Sequence, residues 1–244
     1  MKGIILAGGL ATRLRPLTLV TNKHLLPVYN KPMIYYPIEA MAKAGIKEVL
    51  LTTSSDHAGH FANLLQGGEE FNLKLYFAIQ RDPKGIADAI GLAEEFAQGE
   101  SILVILGDNI FNFDLRPALE KIESQGQGAM IFGVRRDTES KQYGVIEMDQ
   151  DGNVISLEEK PDHPKSDIAQ TGIYMYDNNV FSYIKNLAPS GRGELEVTDL
   201  NNCYLKKKTL QCQIIDWWVD AGTSHDELLR ANNEVAQLVR EGKL

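Results

Sequence analysis

Four short apolar runs, at residues 3–7, 47–53, 73–79 and 101–106, are separated by segments of helical period, and this alternation restricts the fold more than any other feature of the chain. Strands joined through helices cannot pair as hairpins. They lie side by side in parallel, and the helices then cover both faces of the sheet. Residues 32–44, 56–66, 86–97 and 114–124 read as those helices, the first with Pro32 inside its start and Gly45 past its end. A further strand is expected at 129–134.

Beyond that point the pattern changes. Asp151-Gly152 stands between apolar runs at 145–148 and 154–158 and predicts a hairpin, because this pair favours the turn that matches strand twist. Strands at 171–176 and 210–215 and helices at 178–187, 197–207 and 225–240 follow. The fold class is therefore α/β, in one domain of 244 residues with no repeat, linker or low-complexity stretch.

Charge removes one class of partner. With 33 acidic against 25 basic residues the formal charge is -8, which argues against duplex nucleic acid, since binding there depends on a basic footprint. Any phosphate site must be local. Cys203 and Cys212 lack zinc-ligand spacing and read as reduced core residues. The opening Met1-Lys2-Gly3-Ile4-Ile5-Leu6-Ala7 has no leader pattern, and no apolar run is long enough for a bilayer, so a cytoplasmic protein with no membrane partner is expected.

Ligands of open α/β sheets bind beyond the carboxyl ends of the strands. Gly8-Gly9, Gln80, Gly107-Asp108-Asn109 and Thr171-Gly172 are each read as following or ending a strand, so one crevice can collect them. The segment Leu6-Ala7-Gly8-Gly9-Leu10-Ala11-Thr12-Arg13-Leu14-Arg15-Pro16 joins a buried strand to a backbone free of side chains, then adds two guanidinium groups. A polyphosphate is held by that combination of close amide donors and planar cations. The spacing matches neither the dinucleotide fingerprint nor a Walker loop, which sets aside a nicotinamide dehydrogenase. Taken alone, such a glycine pair is more often a plain strand-to-loop turn.

The segments AGGLATRLRPLT and TNKHLLPVYNKPMIYYPI, with Gln80 and Gly85, Gly107-Asp108-Asn109, Tyr143-Gly144-Val145, Glu158-Glu159-Lys160-Pro161, residues 193–199 and residues 218–223, resemble the glucose-1-phosphate thymidylyltransferases in order along nearly the whole chain. The resemblance implies a Rossmann-like three-layer nucleotidyltransferase fold with a mixed, mostly parallel central sheet and a small antiparallel sugar-binding part. It implies one domain, 1–244, with a nucleotide-binding part at about 1–110 and a sugar-phosphate and metal-binding part at about 111–244. The implied reaction joins dTTP to glucose 1-phosphate with Mg2+, giving dTDP-glucose and pyrophosphate. A uridylyltransferase and a catalytically silent nucleotide-sugar regulator are the alternatives.

Carried over residue by residue, the resemblance implies that Leu6, Gly8, Gly9, Ala11, Thr12, Arg13, Gln80, Gly85 and Asp108 bind the nucleotide. Arg13, Lys23 and Lys160 would be catalytic, with Arg13 stabilising the leaving pyrophosphate. Asn109, Gly144, Glu159, Lys160 and Gln170 would bind the sugar phosphate, and Asp108 with Asp220 would hold the metal. A homo-oligomer, dimer or tetramer, is also implied. Ala11, His24 and Gln170 depart from the family's usual glycine, glutamine and valine. Familiar members also continue past Leu244 for roughly 45 residues, a span of several average helices, so weakened feedback inhibition is expected.

Some features point to no site. His57 and His60 lie three apart but lack a third ligand for zinc. Trp217-Trp218 reads as structural, and Lys206-Lys207-Lys208 as a solvated helix end.

Overall fold

Every residue of the first strand, β1 (Lys2–Ala7), is buried, because helices cover the sheet on both sides of it. The computed structural model describes residues 1–9, 11–136 and 142–244; Leu10 of the glycine loop lies outside the described residues. After β1 come β2 (Pro27–Val28), β3 (Lys31–Pro32), α1 (Tyr35–Lys43), β4 (Glu48–Thr53), α2 (Ala58–Leu65), β5 (Lys74–Ile79), α3 (Ile86–Gly91), α4 (Glu94–Ala97), β6 (Ile102–Leu106) and β7 (Asn109–Phe111). The second half contributes α5 (Arg116–Gln125), β8 (Ala129–Arg135), β9 (Gly144–Met148), β10 (Val154–Glu159), β11 (Ile168–Tyr176), α6 (Val180–Lys185), α7 (Val197–Lys206), β12 (Leu210–Ile214), β13 (Trp218–Asp220) and α8 (His225–Arg240).

Strands β5, β4, β1 and β6 are parallel neighbours, with Leu6 opposite Thr52 on one side and Leu106 on the other. Alternation sends Ile5 and Ala7 to one face, with Ile38, Met41 and Phe61 of α1 and α2. Ile4 and Leu6 go to the other face, with Ala87 and Ile90 of α3. Each of the larger side chains among them, fully buried, contributes roughly 1.5–3 kcal/mol. A third cluster packs Ala231 and Val235 of α8 on Val219, Ile110 and Val28.

The mixed character of the sheet comes from β11. Its end, from Ile173 to Tyr176, pairs antiparallel with β6, while Ala169 near its start pairs on β9. Its other edge carries β8, with a register shift between Gln170 and Tyr174, and β12 runs parallel to β8. Thr171-Gly172 therefore does not end a strand, as the sequence reading has it; the pair occupies the irregular middle of β11.

Other boundaries differ for identifiable reasons. Pro32 belongs to the two-residue strand β3, and α1 begins at Tyr35. The proline inside its start is Pro37, whose missing N–H falls among the donors that have no partner in a first helical turn. The single helix expected at 86–97 is two, α3 ending at Gly91, a poor helix former. In the β9–β10 hairpin only Gly152 of the Asp-Gly pair has positive φ. The Asp149 carboxylate closes this turn by accepting from the Asp151 and Asn153 amides, so the turn is not the two-residue mirror type. Cys203 and Cys212 are free and half-buried rather than core. Among the described residues no helix is long and apolar enough to cross a membrane.

Candidate active site

The carboxyl end of β1 opens into a backbone shaped by its glycines. Gly9 has φ 99°, and a Cβ at Gly8 would lie 2.6 Å from Gln80 Oε1, so the glutamine amide rests directly on the loop. Ala11 takes up left-handed backbone, φ 47° and ψ 39°, just before the short turn Thr12–Leu14. Thr18 Oγ1 donates to the Ala11 carbonyl at 2.8 Å and holds it there. An L side chain in this region costs roughly 1–2 kcal/mol, against roughly 0.5–1 kcal/mol of extra chain entropy for glycine. Ala11→Gly is therefore expected to raise stability by about 0.5 kcal/mol. Thermal melting checks this: a lowered Tm would show that the Ala11 methyl makes a contact worth more than its strain.

Two cavities meet at the end of the parallel strands. The first, about 230 Å³, is walled by Leu6, Gly8, Gly9, Lys23, Gln80, Gly85 and Asp108. The second, about 170 Å³, is walled by Arg13, Asn109, Gly144, Glu159, Lys160, Gln170 and Asp220. Ile86, Leu106 and Glu194 line both, so they adjoin. Of the site residues expected from sequence, Ala11 and Thr12 stand apart from both walls.

The acidic pair spans the boundary. Strands β7 and β13 pair antiparallel with Asp220 opposite Asn109, and the Ala221 amide donates to the Asp108 carbonyl at 2.9 Å. A Cβ on Gly222 would lie 2.2 Å from Asp108 Oδ2 and 2.7 Å from Lys23 Nζ, so only glycine leaves this space open. Lys23 Nζ donates to Asp108 Oδ2. Burial pushes the Asp108 carboxyl up, but the Lys23 ammonium, His24 and the hydrogen bonds from Lys23 and Asn109 outweigh it and hold the group well below the usual carboxylate range. Burial, followed by the negative charge of Asp108, pushes Asp220 up to about 7. One ammonium is thus shared by two carboxylates, hydrogen-bonded to Asp108 and attracted by Asp220 as well. Such a pair of hard oxygen donors fits a divalent cation that takes its other ligands from substrate and water. Among the described residues no cluster of three or more metal-ligating side chains offers an alternative.

His24 is buried beside this pair. Its Nδ1 lies 2.7 Å from Asn22 Oδ1, which also accepts the His24 amide, and burial together with Lys23 pushes the imidazole down to about 3. It is a neutral wall of the first cavity.

On the other side, Glu159 at the end of β10 accepts from Thr198 Oγ1 at 2.6 Å and Arg192 Nη2 at 3.3 Å, and pairs with Lys160 Nζ at 3.3 Å. Arg192 in turn forks onto Glu196. Lys160 has φ 44°, a left-handed conformation that turns the chain sharply after the strand. Gln170 is buried between Tyr174 and Asn201. Arg192, Glu196 and Thr198 have no role in the sequence reading, although residues 193–199 belong to the quoted motifs; the density of charge around Glu196 is the only signal there. Trp218, read as structural, donates its indole N–H to Asn109 Oδ1 at 2.6 Å within the site. His57 and His60, rings 5.7 Å apart at the start of α2, lie away from both cavities.

This chain matches the family model described as nucleotidyl transferase over residues 2–238. A glucose-1-phosphate thymidylyltransferase of Neisseria gonorrhoeae is 45% identical over 228 residues, which are 91% of this chain and 78% of that protein. One from Xanthomonas campestris pv. campestris is 42% identical over 246 residues, 99% of this chain and 83% of the relative. Among solved structures, one from Bacillus anthracis, provisionally assigned as a glucose-1-phosphate thymidylyltransferase and in complex with a sucrose, superposes with a TM-score of 0.91 at 46% identity, covering 96% of this chain and 94% of the other. A UDP-glucose pyrophosphorylase complexed with UDP-glucose shares the fold, with a TM-score of 0.84 at 22% identity over 97% of this chain and 98% of its own.

Proposed function

Because the chain belongs to the nucleotidyl transferase family, among the glucose-1-phosphate thymidylyltransferases, we propose that it transfers the thymidylyl group of dTTP to glucose 1-phosphate and releases pyrophosphate and dTDP-glucose. The observation that carries the reading is the acidic pair, one carboxylate on each of two adjoining cavities, beside a half-buried lysine. A phosphate oxygen of glucose 1-phosphate attacks the α-phosphorus in line, and the bond to the bridging oxygen of pyrophosphate breaks. Such a displacement depends chiefly on positioning and charge neutralisation.

The first cavity takes the nucleotide. Gln80 and the backbone at Gly85 read the base edge, while the amides of Gly8 and Gly9, with Lys23, face the phosphates and Arg13 meets the pyrophosphate from the wall of the adjoining second cavity; Leu6, Ala11 and Thr12 shape the loop. The second cavity takes the sugar phosphate. Glu159, aligned by Thr198 and Arg192, reads the hydroxyls with Gly144, Gln170 and the remaining N–H of Asn109, and Lys160 faces the phosphate. Asp108 and Asp220 would hold Mg2+, which supplies Lewis-acid neutralisation of charge developing on the phosphates. A 1–110 nucleotide part and a 111–244 sugar and metal part act as one unit, with Asp108 at the seam.

The test is pyrophosphate release from purified protein with dTTP, glucose 1-phosphate and Mg2+, repeated with UTP, with each reactant omitted and with a chelator. Turnover that needs all three components and prefers dTTP supports the proposal. No turnover with any triphosphate and hexose 1-phosphate would refute it. Preference for UTP would move the chain to the uridylyltransferases.

One variant probes the base wall. Gly85 has φ 107°, and a Cβ there would lie 2.4 Å from the Leu195 carbonyl oxygen. That carbonyl is fixed by the Ala87 amide at 3.2 Å, and the Leu195 amide by the Lys84 carbonyl at 2.8 Å, so the contact cannot relax by a side-chain rotation. Gly85→Ala is expected to raise KM for dTTP roughly tenfold, as an overpacking of about 1–2 kcal/mol would. Unchanged steady-state kinetics would place the base elsewhere.

A further inference from the structure

Asn109, at the start of β7, is 1% exposed, and all of its amide except one N–H is committed. Its Oδ1 accepts from the Gly172 amide at 2.8 Å and from Trp218 Nε1 at 2.6 Å, while its Nδ2 donates to Asp108 Oδ1 at 3.0 Å. A carboxamide has two orientations half a turn apart. Here the flipped one is excluded on both sides, because it would set N–H groups against two pure donors and turn a carbonyl toward a carboxylate.

The indole that selects this orientation is itself clamped. Trp218 is 3% exposed; the Arg136 guanidinium lies 5.3 Å from its ring and donates to its carbonyl oxygen at 3.2 Å, and Tyr143 meets the ring edge-on at 5.3 Å. The same two-stranded sheet therefore carries Trp218 and Asp220 on β13 and Asn109 on β7, directly after Asp108. A buried indole N–H needs an acceptor, and the one used here is the amide oxygen of the residue that itself donates to the acidic pair.

We propose that Trp218 is a positioning residue for the divalent cation: its indole N–H, acting through Asn109, holds Asp108 Oδ1 so that Oδ2 faces Lys23 and the space beside Asp220. This rests on the reading of Asp108 and Asp220 as the metal ligands. Partners one step removed from a ligand typically account for 10–100-fold in metal affinity, and Trp218 lies one hydrogen bond further out.

The test measures Mn2+ binding by water-proton relaxation on the complex with dTDP-glucose, apart from any turnover. Trp218→Phe keeps an aromatic ring and loses the N–H; it should weaken Mn2+ roughly fivefold, and Asn109→Ala roughly tenfold or more. In the Asn109→Ala background, Trp218→Phe should add less than twofold, because the relay is already cut. Mn2+ affinity of Trp218→Phe within twofold of the parent overturns the proposal, as does a full fivefold effect in the Asn109→Ala background. Failure of the parent protein to bind Mn2+ at all overturns the metal reading together with the relay. Should Trp218→Phe fail to fold, the 15N-indole resonance of Trp218 in the parent protein decides: it should shift during Mg2+ titration with the midpoint of metal binding, and a resonance that does not move overturns the relay.

Discussion

Asp220→Asn is expected to lower kcat about 10³-fold while the folded protein becomes no less stable. The asparagine keeps the shape and can still accept from the Gly222 amide, which reaches Asp220 Oδ1 at 3.1 Å. What disappears is a negative charge on the cation, and a loss of roughly 4 kcal/mol of charge stabilisation corresponds to that factor. The metal-free protein gains instead, since Asp220 is pushed up to about 7 from an ordinary 3.8 by burial and by Asp108. Between those values the folded chain keeps a proton that the unfolded chain has released, so the stability of the parent protein falls as pH rises from about 4 to about 7. The variant should lack this component of the pH dependence and melt about 2–4 °C higher at pH 8 for a gain of about 1 kcal/mol. Melting curves at pH 5 and pH 8 check it; a Tm lowered equally at both would mean that the carboxylate is a structural acceptor and not a repelled charge.

Asp108→Asn should cost as much activity but, unlike the first variant, also stability. Its carboxylate is the partner of Lys23, whose ammonium burial would lower but which Asp108 and Asp220 together raise. Removing one member of a buried pair costs roughly 3–5 kcal/mol, here reduced to about 2 kcal/mol because Asp220 still faces the ammonium. The expected fall in Tm is about 4–8 °C. Equal melting temperatures for the Asp108→Asn and Asp220→Asn proteins would contradict the unequal pairing of the two acids. A dead enzyme in both cases, split by stability in opposite directions, is the outcome that the geometry requires.

The parallel half of the fold is legible in the sequence because its information is local. Apolar runs of strand length recur between segments of helical period, and α8 is predicted with its observed bounds. Its start has a chemical mark: Ser224 caps it by accepting the Glu227 amide at 3.1 Å. Strands β7 and β13 escape such reading, since three residues each carry no periodicity and exist only because they pair with one another across more than a hundred positions. The glycine loop can be read from its own residues, and the pairing of Asp108 with Asp220 only from resemblance. The contacts that orient Glu159 and Asn109 come from Arg192, Thr198 and Trp218, whose partners are set by tertiary approach. Pro32 and Pro37 make the same point in miniature: both satisfy a local rule, and only the short β2–β3 pairing decides which proline enters the helix.

The two different neighbours on one edge of β11 constrain how this chain can be divided. Cutting after residue 110 would strip β6 of its outer partner and leave the amides and carbonyls of an apolar strand, Ile102–Leu106, facing water as a template for other chains. The amino-terminal piece would then aggregate instead of standing alone. Fusion, splitting or permutation of this scaffold has to spare β11, because that one strand closes the sheet on which the glycine loop is built.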